Sequence, residues 1–185
     1  MMKTIKPVIL TLLLLASLLP LFGQQTDNKR KFTDVQKQHA KIYYQIVLSH
    51  RKGQSDFDRD FKAFYTPIVD DCERLFKEHK KFEAFFKEKA NASLESNKQE
   101  IAKKQEKARI CFGQLADLTQ TITEAFKNKE SSKIDKSLAE YKQIEKTLQE
   151  LGAKFPQRNW VTVSEAELLV AQAMRNNQTR KPVKN

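Results

Sequence analysis

Residues 56–90 read DFDRDFKAFYTPIVDDCERLFKEHKKFEAFFKEKA, and their apolar positions recur with the period of an α-helix. Phe57, Phe61, Phe64, Ile68, Cys72, Leu75, His79, Phe82 and Phe86 follow one another at steps of four and three. That spacing lines one face of a helix, whereas a strand would alternate sides. Ser55 and Asp58 supply a start signal, and Asp56, Asp58 and Asp60 suit the positive end of the helix dipole. Pro67 removes one backbone donor inside the pattern, which predicts a kink there, with Thr66 able to cap a restarted helix.

Downstream, Asn91-Ala92-Ser93 is the weakest helical stretch and predicts the turn of a hairpin. A second long helix follows to about residue 127, with one seam of Leu94, Ile101, Ala108, Leu115 and Ile122 and another of Asn97, Lys104, Cys111, Leu118 and Ala125. The second seam is polar in its first half and apolar in its second, so only the second half is suited to a core. Cys72 and Cys111 are equidistant from residues 91–92. Folding there predicts that the two sulfurs meet in a disulfide, worth ~3–4 kcal/mol in the chain-entropy model for a loop of roughly 40 residues.

Two shorter helices flank the hairpin. Thr33 and Gln36 form a capping box that opens the first, carrying Val35, His39, Ile42 and Ile46, and Lys52-Gly53-Gln54 reads as its stop. Residues 128–132 break the pattern again. Ile134, Leu138, Tyr141, Ile144, Leu148 and Leu151 then form an inward face that Gly152 terminates. An extended connector, Lys154 to Val163, holds Pro156 and the single Trp160. A short fifth helix is predicted from Ser164 to about Met174, with Glu167 completing a capping box and Val163 packing on Leu168. The expected fold is therefore all-α: a four-helix base, a long antiparallel hairpin over about 56–127 projecting as a coiled-coil-like arm, and a short C-terminal helix. Residues 176–185 are predicted to be a disordered basic tail.

The chain is basic, with 34 Lys and Arg against 23 Asp and Glu. The excess sits at the ends, since residues 24–52 carry seven basic and two acidic side chains, whereas 53–155 is nearly balanced. At the start, Lys3 and Lys6 precede an apolar run from Val8 to Leu19. About a dozen residues is too short to span ~30 Å of hydrocarbon, so residues 1–23 are expected to be a leader cleaved after Gly23, with 24–32 a flexible arm. An exported protein of a bacterial envelope, periplasmic or secreted, follows from this reading. Asn91 and Asn177 match the N-glycosylation pattern, which matters only where that machinery exists.

Chemistry-bearing motifs are missing. Glycine-rich phosphate loops, serine elbows, paired zinc-binding histidines and Cys-x-x-Cys do not occur, and His39, His50 and His79 are isolated. No enzyme activity, cofactor or metal is expected. His39 and His79 lie on apolar faces and are expected to be hydrogen-bonded core imidazoles. Phe76, Phe82, Phe85 and Phe86, by contrast, are more aromatic surface than Leu94 and Ile101 can cover. The fifth helix with Trp160, a second copy or a separate partner should shield them. The leading expectation is a non-enzymatic adaptor, scaffold or chaperone-like binding protein that uses these phenylalanines to contact a protein partner or to self-associate. In architecture and charge alone, this combination resembles the periplasmic holding chaperones of the Skp type, although their trimerisation strands have no counterpart here. The alternative is binding of an anionic polymer or membrane surface through Lys29, Arg30, Lys31, Arg51, Lys52, Arg175, Arg180, Lys181 and Lys184. These clusters lack interleaved aromatics, so specific recognition of nucleic acid is not expected.

Overall fold

Five helices and no strand make up the described part of the chain: α1 (Asp34–Arg51), α2 (Phe57–Glu95), α3 (Gln99–Lys127), α4 (Ser131–Glu150) and α5 (Val163–Thr179). These come from a computed structural model that describes residues 32–179. The predicted leader, the segment 24–31 and residues 180–185 lie outside the described residues. Among the described residues no helix is long and apolar enough to cross a membrane. The all-helical bundle agrees with the fold class expected from periodicity.

Packing follows the chain only in part. α2 lies along α3, α4 lies on α3, and α1 packs more extensively on α5 than on α2. The core is a column of apolar side chains, with Ile68 and Leu75 of α2 against Leu115 and Ile122 of α3 and Leu138 and Leu148 of α4, all essentially inaccessible to solvent. Burying one such side chain stabilises the fold by ~1.5–3 kcal/mol. Phe57, expected to face inward, is half exposed, with its ring centre 5.7 Å from that of Phe61. Pro67 lies within α2, which continues through it as one helix, with Asp56 rather than Ser55 as its cap.

Four helix ends share one device. Gly53, Asn97, Lys129 and Gly152 have φ between +55° and +71°. In each case the next N–H reaches back five residues: Gln54 to Ser49, Lys98 to Ser93, Glu130 to Ala125 and Ala153 to Leu148. Such left-handed C-terminal caps satisfy carbonyls that the helix leaves unpaired. Glycine marks two of them in the sequence. Asn97 and Lys129 do so without glycine.

Asn97 corrects the hairpin. The turn is Ser96-Asn97-Lys98, and residues 91–93 are helical, with Ser93 buried and its Oγ donating to Gln105 Oε1 at 2.8 Å. Moving the turn by about five residues moves the opposing register by about twice that. Cys72 consequently lies beside Thr123, whereas the residues next to Cys111 face Glu83: Arg109 approaches it at 3.5 Å, and a Cβ on Gly113 would meet it at 3.2 Å. Roughly 12 residues of helix, ~18 Å, separate the two cysteine levels, far beyond the Cα spacing of about 4.4–6.8 Å that a disulfide allows. Both cysteines are free and buried, so the expected disulfide is not formed.

The connector 153–162 is anchored to four helices through Gln36, Asp71, Glu145 and Glu165. Arg158 is fully buried, donating from Nη2 to Glu165 Oε1 at 2.7 Å, from Nε to Glu145 Oε2 at 3.1 Å and from Nη1 to the Trp160 carbonyl at 2.6 Å. Its own carbonyl accepts from Gln36 Nε2 of α1 at 2.8 Å. Asp71 of α2 accepts from the Asn159 backbone and side chain. His39 donates from Nε2 to the Phe64 carbonyl and accepts at Nδ1 from the Val161 N–H, which identifies a neutral core imidazole. The cap of α5 is a Thr162–Glu165 box rather than the expected Ser164–Glu167 pair, and Glu167 instead accepts from Tyr43 of α1 at 2.9 Å. α5 also runs on to Thr179, past the predicted end at Met174 and into the segment expected to be disordered.

Candidate partner-binding cleft

Phe82, Phe85 and Phe86 occupy positions i, i+3 and i+4 of α2 and therefore share one face. Beneath them lies Phe112 of α3, fully buried, stacked on Phe82 with centroids 4.9 Å apart and on Phe86 at 5.5 Å. Phe82 and Phe86 are half-buried in this way. Phe85 meets Phe86 edge-on at 5.3 Å and remains 48% exposed, with the Lys89 ammonium 5.5 Å from its ring centre. The cation sits where the ring quadrupole attracts it.

These rings form one wall of an open cleft of about 450 Å³. Ile101, Lys104, Gln105 and Ala108 of α3 form a second wall, at helical spacing along one face, and Leu151 to Lys154 close an end. The lining is largely apolar and contains no carboxylate. Ile101 is 48% exposed, and Leu94, farther along α2, is 57% exposed. Near the turn the helices meet through Ala90, Ser93 and Ala102, all buried. Small residues let the backbones approach and leave the larger apolar side chains outside.

The structure does not gather the four predicted phenylalanines into one patch. Phe76 lines a separate cleft of about 670 Å³ with Cys72, Thr119 and Thr123, rimmed by Asp70, Glu73 and Glu124. Trp160 does not shield the others either. It is fully buried against Tyr141 at 5.2 Å, with the Arg158 guanidinium 4.6 Å from its ring, and α5 packs on α1. Heptad spacing passes from Ala108 to Cys111 and Leu115 and so skips Phe112. The i, i+4, i+7, i+8 series Ala108, Phe112, Leu115 and Ala116, all buried, was the signal that would have found it.

Of the candidate anion-binding residues, Arg51 and Lys52 are exposed at the end of α1 and Arg175 is exposed on α5, its Nε directed at the Ala171 carbonyl at 3.4 Å. Lys29, Arg30, Lys31, Arg180, Lys181 and Lys184 lie outside the described residues. Arg158, which adds to the basic count of the C-terminal region, is enclosed by two carboxylates and presents no charge to a partner.

Burial governs the titrating groups of the core, whereas exposed carboxylates such as Asp58 and Glu73 are lowered by their lysine partners. Desolvation lowers His79 to about 4, because its imidazole is enclosed with Nε2 2.6 Å from the Tyr141 hydroxyl. Burial pushes the Cys72 thiol up to about 12, and Cys111 is raised for the same reason. Neither thiol is disposed to be a nucleophile. Among the described residues no group of three or more His, Cys, Asp or Glu is placed to hold a metal ion. No protein-family model, curated protein or solved structure matches this chain.

Proposed function

We infer that the protein acts by contact, as an adaptor or chaperone-like binding protein that seats an apolar segment of a protein partner in the cleft between α2 and α3. The single observation that supports this is the pairing of Phe85 and Ile101, each about half exposed, across an apolar cleft without a carboxylate in its lining. Large apolar side chains grouped on one face cost solubility and are commonly kept where a surface binds. Export after cleavage at Gly23 belongs to the same reading and rests on Lys3, Lys6 and the apolar run from Val8 to Leu19.

The test compares two variants of the full chain. Phe85→Ser with Ile101→Ser removes the exposed apolar pair and spares the stack on Phe112. Arg51→Gln, Lys52→Gln and Arg175→Gln removes the described surface cations of the alternative reading. Loss of a purified, reproducibly captured partner in the first variant and its retention in the second supports the cleft. The opposite pattern, with retention on an anionic polymer lost in the second variant, transfers the function to the basic segments. A mature mass beginning at Gln24 supports export, and a retained leader removes it.

A further inference from the structure

The charges around the cleft specify its occupant more closely. Lys104 projects from α3 and Lys154 from the connector, so they line the cleft from two different elements. Lys89 stands over Phe85 at the rim. None of these three lysines has a carboxylate within 4 Å among the described residues. Three acids of the hairpin are engaged elsewhere, Glu83 with Lys80 and Arg109, Glu106 with Arg109, and Glu100 with Lys103, while Glu88 and Glu150 are exposed and lie outside the cleft lining. The apolar cleft is thus edged by cations that lack partners of their own.

Its dimensions are those of two helical turns. Ile101 and Ala108 mark its extent along α3, seven residues or ~10 Å. An amphipathic helix sets apolar side chains at i, i+3 or i+4, and i+7 over the same distance. Resting on the contact function proposed for the cleft, we propose that its occupant is an acidic amphipathic helix of a protein partner, with a two-turn apolar ridge between Phe85 and Ile101 and carboxylates on either flank meeting Lys104 and Lys154. Charge separates this partner from the other candidates. A second copy docked through the same face would bring these lysines against their own counterparts, and Arg180, Lys181 and Lys184 make the C-terminal segment equally unsuited. A fatty acid would satisfy one lysine, but in so open a groove most of its chain would stay wet, whereas a helix carries its own cover.

The probes are labelled synthetic helical peptides of about two dozen residues that share one leucine ridge and differ only in flanks: glutamate, lysine or glutamine. Binding to the full chain is read by fluorescence anisotropy at low and high salt. The glutamate peptide should bind at least tenfold more tightly than the lysine peptide, and the preference should shrink as salt screens it. Lys104→Glu with Lys154→Glu should invert the order, with unchanged thermal midpoint as the control for folding. Equal binding of all three peptides that is lost in Phe85→Ser with Ile101→Ser overturns the acidic specificity and leaves the cleft as a docking site. Peptide binding indifferent to Phe85→Ser with Ile101→Ser, or no peptide binding at all, overturns both. Displacement of the glutamate peptide by laurate at stoichiometric concentration would assign the groove to an anionic lipid and also overturn the proposal.

Discussion

Phe82 stacks nearly face to face on Phe112, with ring centroids 4.9 Å apart and planes inclined by 18°, while Phe85, three residues farther along the same helix, stays half exposed. Adjacent phenylalanines of one predicted patch thus have different physical roles. Phe112→Ala removes a ring with no solvent exposure and should destabilise the fold by ~3–5 kcal/mol. Phe85→Ser should cost under about 1 kcal/mol. Urea unfolding of the two variants checks the contrast, and equal losses would place Phe85 in the core.

Much of this was legible from periodicity and some of it was not. The apolar steps of α2 located Phe61, Phe64, Ile68, Cys72, Leu75 and His79 in the core, and all are buried. Where the hairpin turns was not legible, because Ala92 is the strongest helix former and leans against a turn at Asn91-Ala92-Ser93, but by too little to fix the turn at Ser96-Asn97-Lys98. Choosing between them depends on which asparagine can enter the left-handed region while the next N–H finds a carbonyl, a property of the assembled turn. The displaced register then carried Cys72 away from Cys111. Arg158 was equally opaque. A lone arginine in a polar connector resembles a surface charge until Glu145 and Glu165, from two different helices, close around it.

The thiols supply a direct check on that register. With Cys72 and Cys111 free and buried, the native protein should be nearly unreactive towards a thiol reagent at neutral pH. Two thiols should titrate in denaturant without reductant. Raised thiol pKa values slow the reaction further by depleting the thiolate. Zero thiols in denaturant would restore the disulfide and with it the earlier turn.

Arg158 should be the least replaceable basic residue among those described. Arg158→Met leaves Glu145 and Glu165 buried without their principal cation, and a loss of ~3–5 kcal/mol is expected from such a broken pair. Replacing all three by apolar residues of similar size should recover part of it, because no charge then remains buried in the cluster, although the Thr162 N–H loses its acceptor on Glu165. Denaturant midpoints of the single and triple variants test this. A small effect of Arg158→Met would mean that the connector does not rely on the cluster.

The two left-handed caps without glycine are sites for stabilisation. Asn97 and Lys129 have φ of 56° and 55°, and an L side chain with a Cβ pays roughly 1–2 kcal/mol in this region, less for asparagine. Lys129→Gly should therefore raise stability by up to ~1 kcal/mol, reduced by loss of the exposed 2.7 Å contact to Asp58. Asn97→Gly should be close to neutral and Asn97→Val clearly destabilising. Thermal midpoints in that order support the turn at residues 96–98, and indifference to Asn97→Val removes it.

His79 should make the fold acid-sensitive in a defined window. Its imidazole is held to about 4 by desolvation, against 6.5 for the free side chain. In the unfolded chain it therefore binds a proton at a higher pH than in the fold. Its contribution to stability is complete above about pH 6.5 and is lost as pH falls from there to about 4, below which no further loss occurs. The span corresponds to ~3 kcal/mol at most. Carboxylates held below their usual range by ion pairs act in the same direction at lower pH, so the total slope alone does not isolate the histidine. His79→Gln does, since it keeps a polar group near the Tyr141 hydroxyl and removes the titration. Urea unfolding at pH 7 and pH 4.5 should show a smaller difference for His79→Gln than for the parent chain, whatever the substitution costs at pH 7. Parallel pH profiles would mean that the imidazole is solvated in the native protein, and the packing of Tyr141 between His79 and Trp160 would then need to open for water.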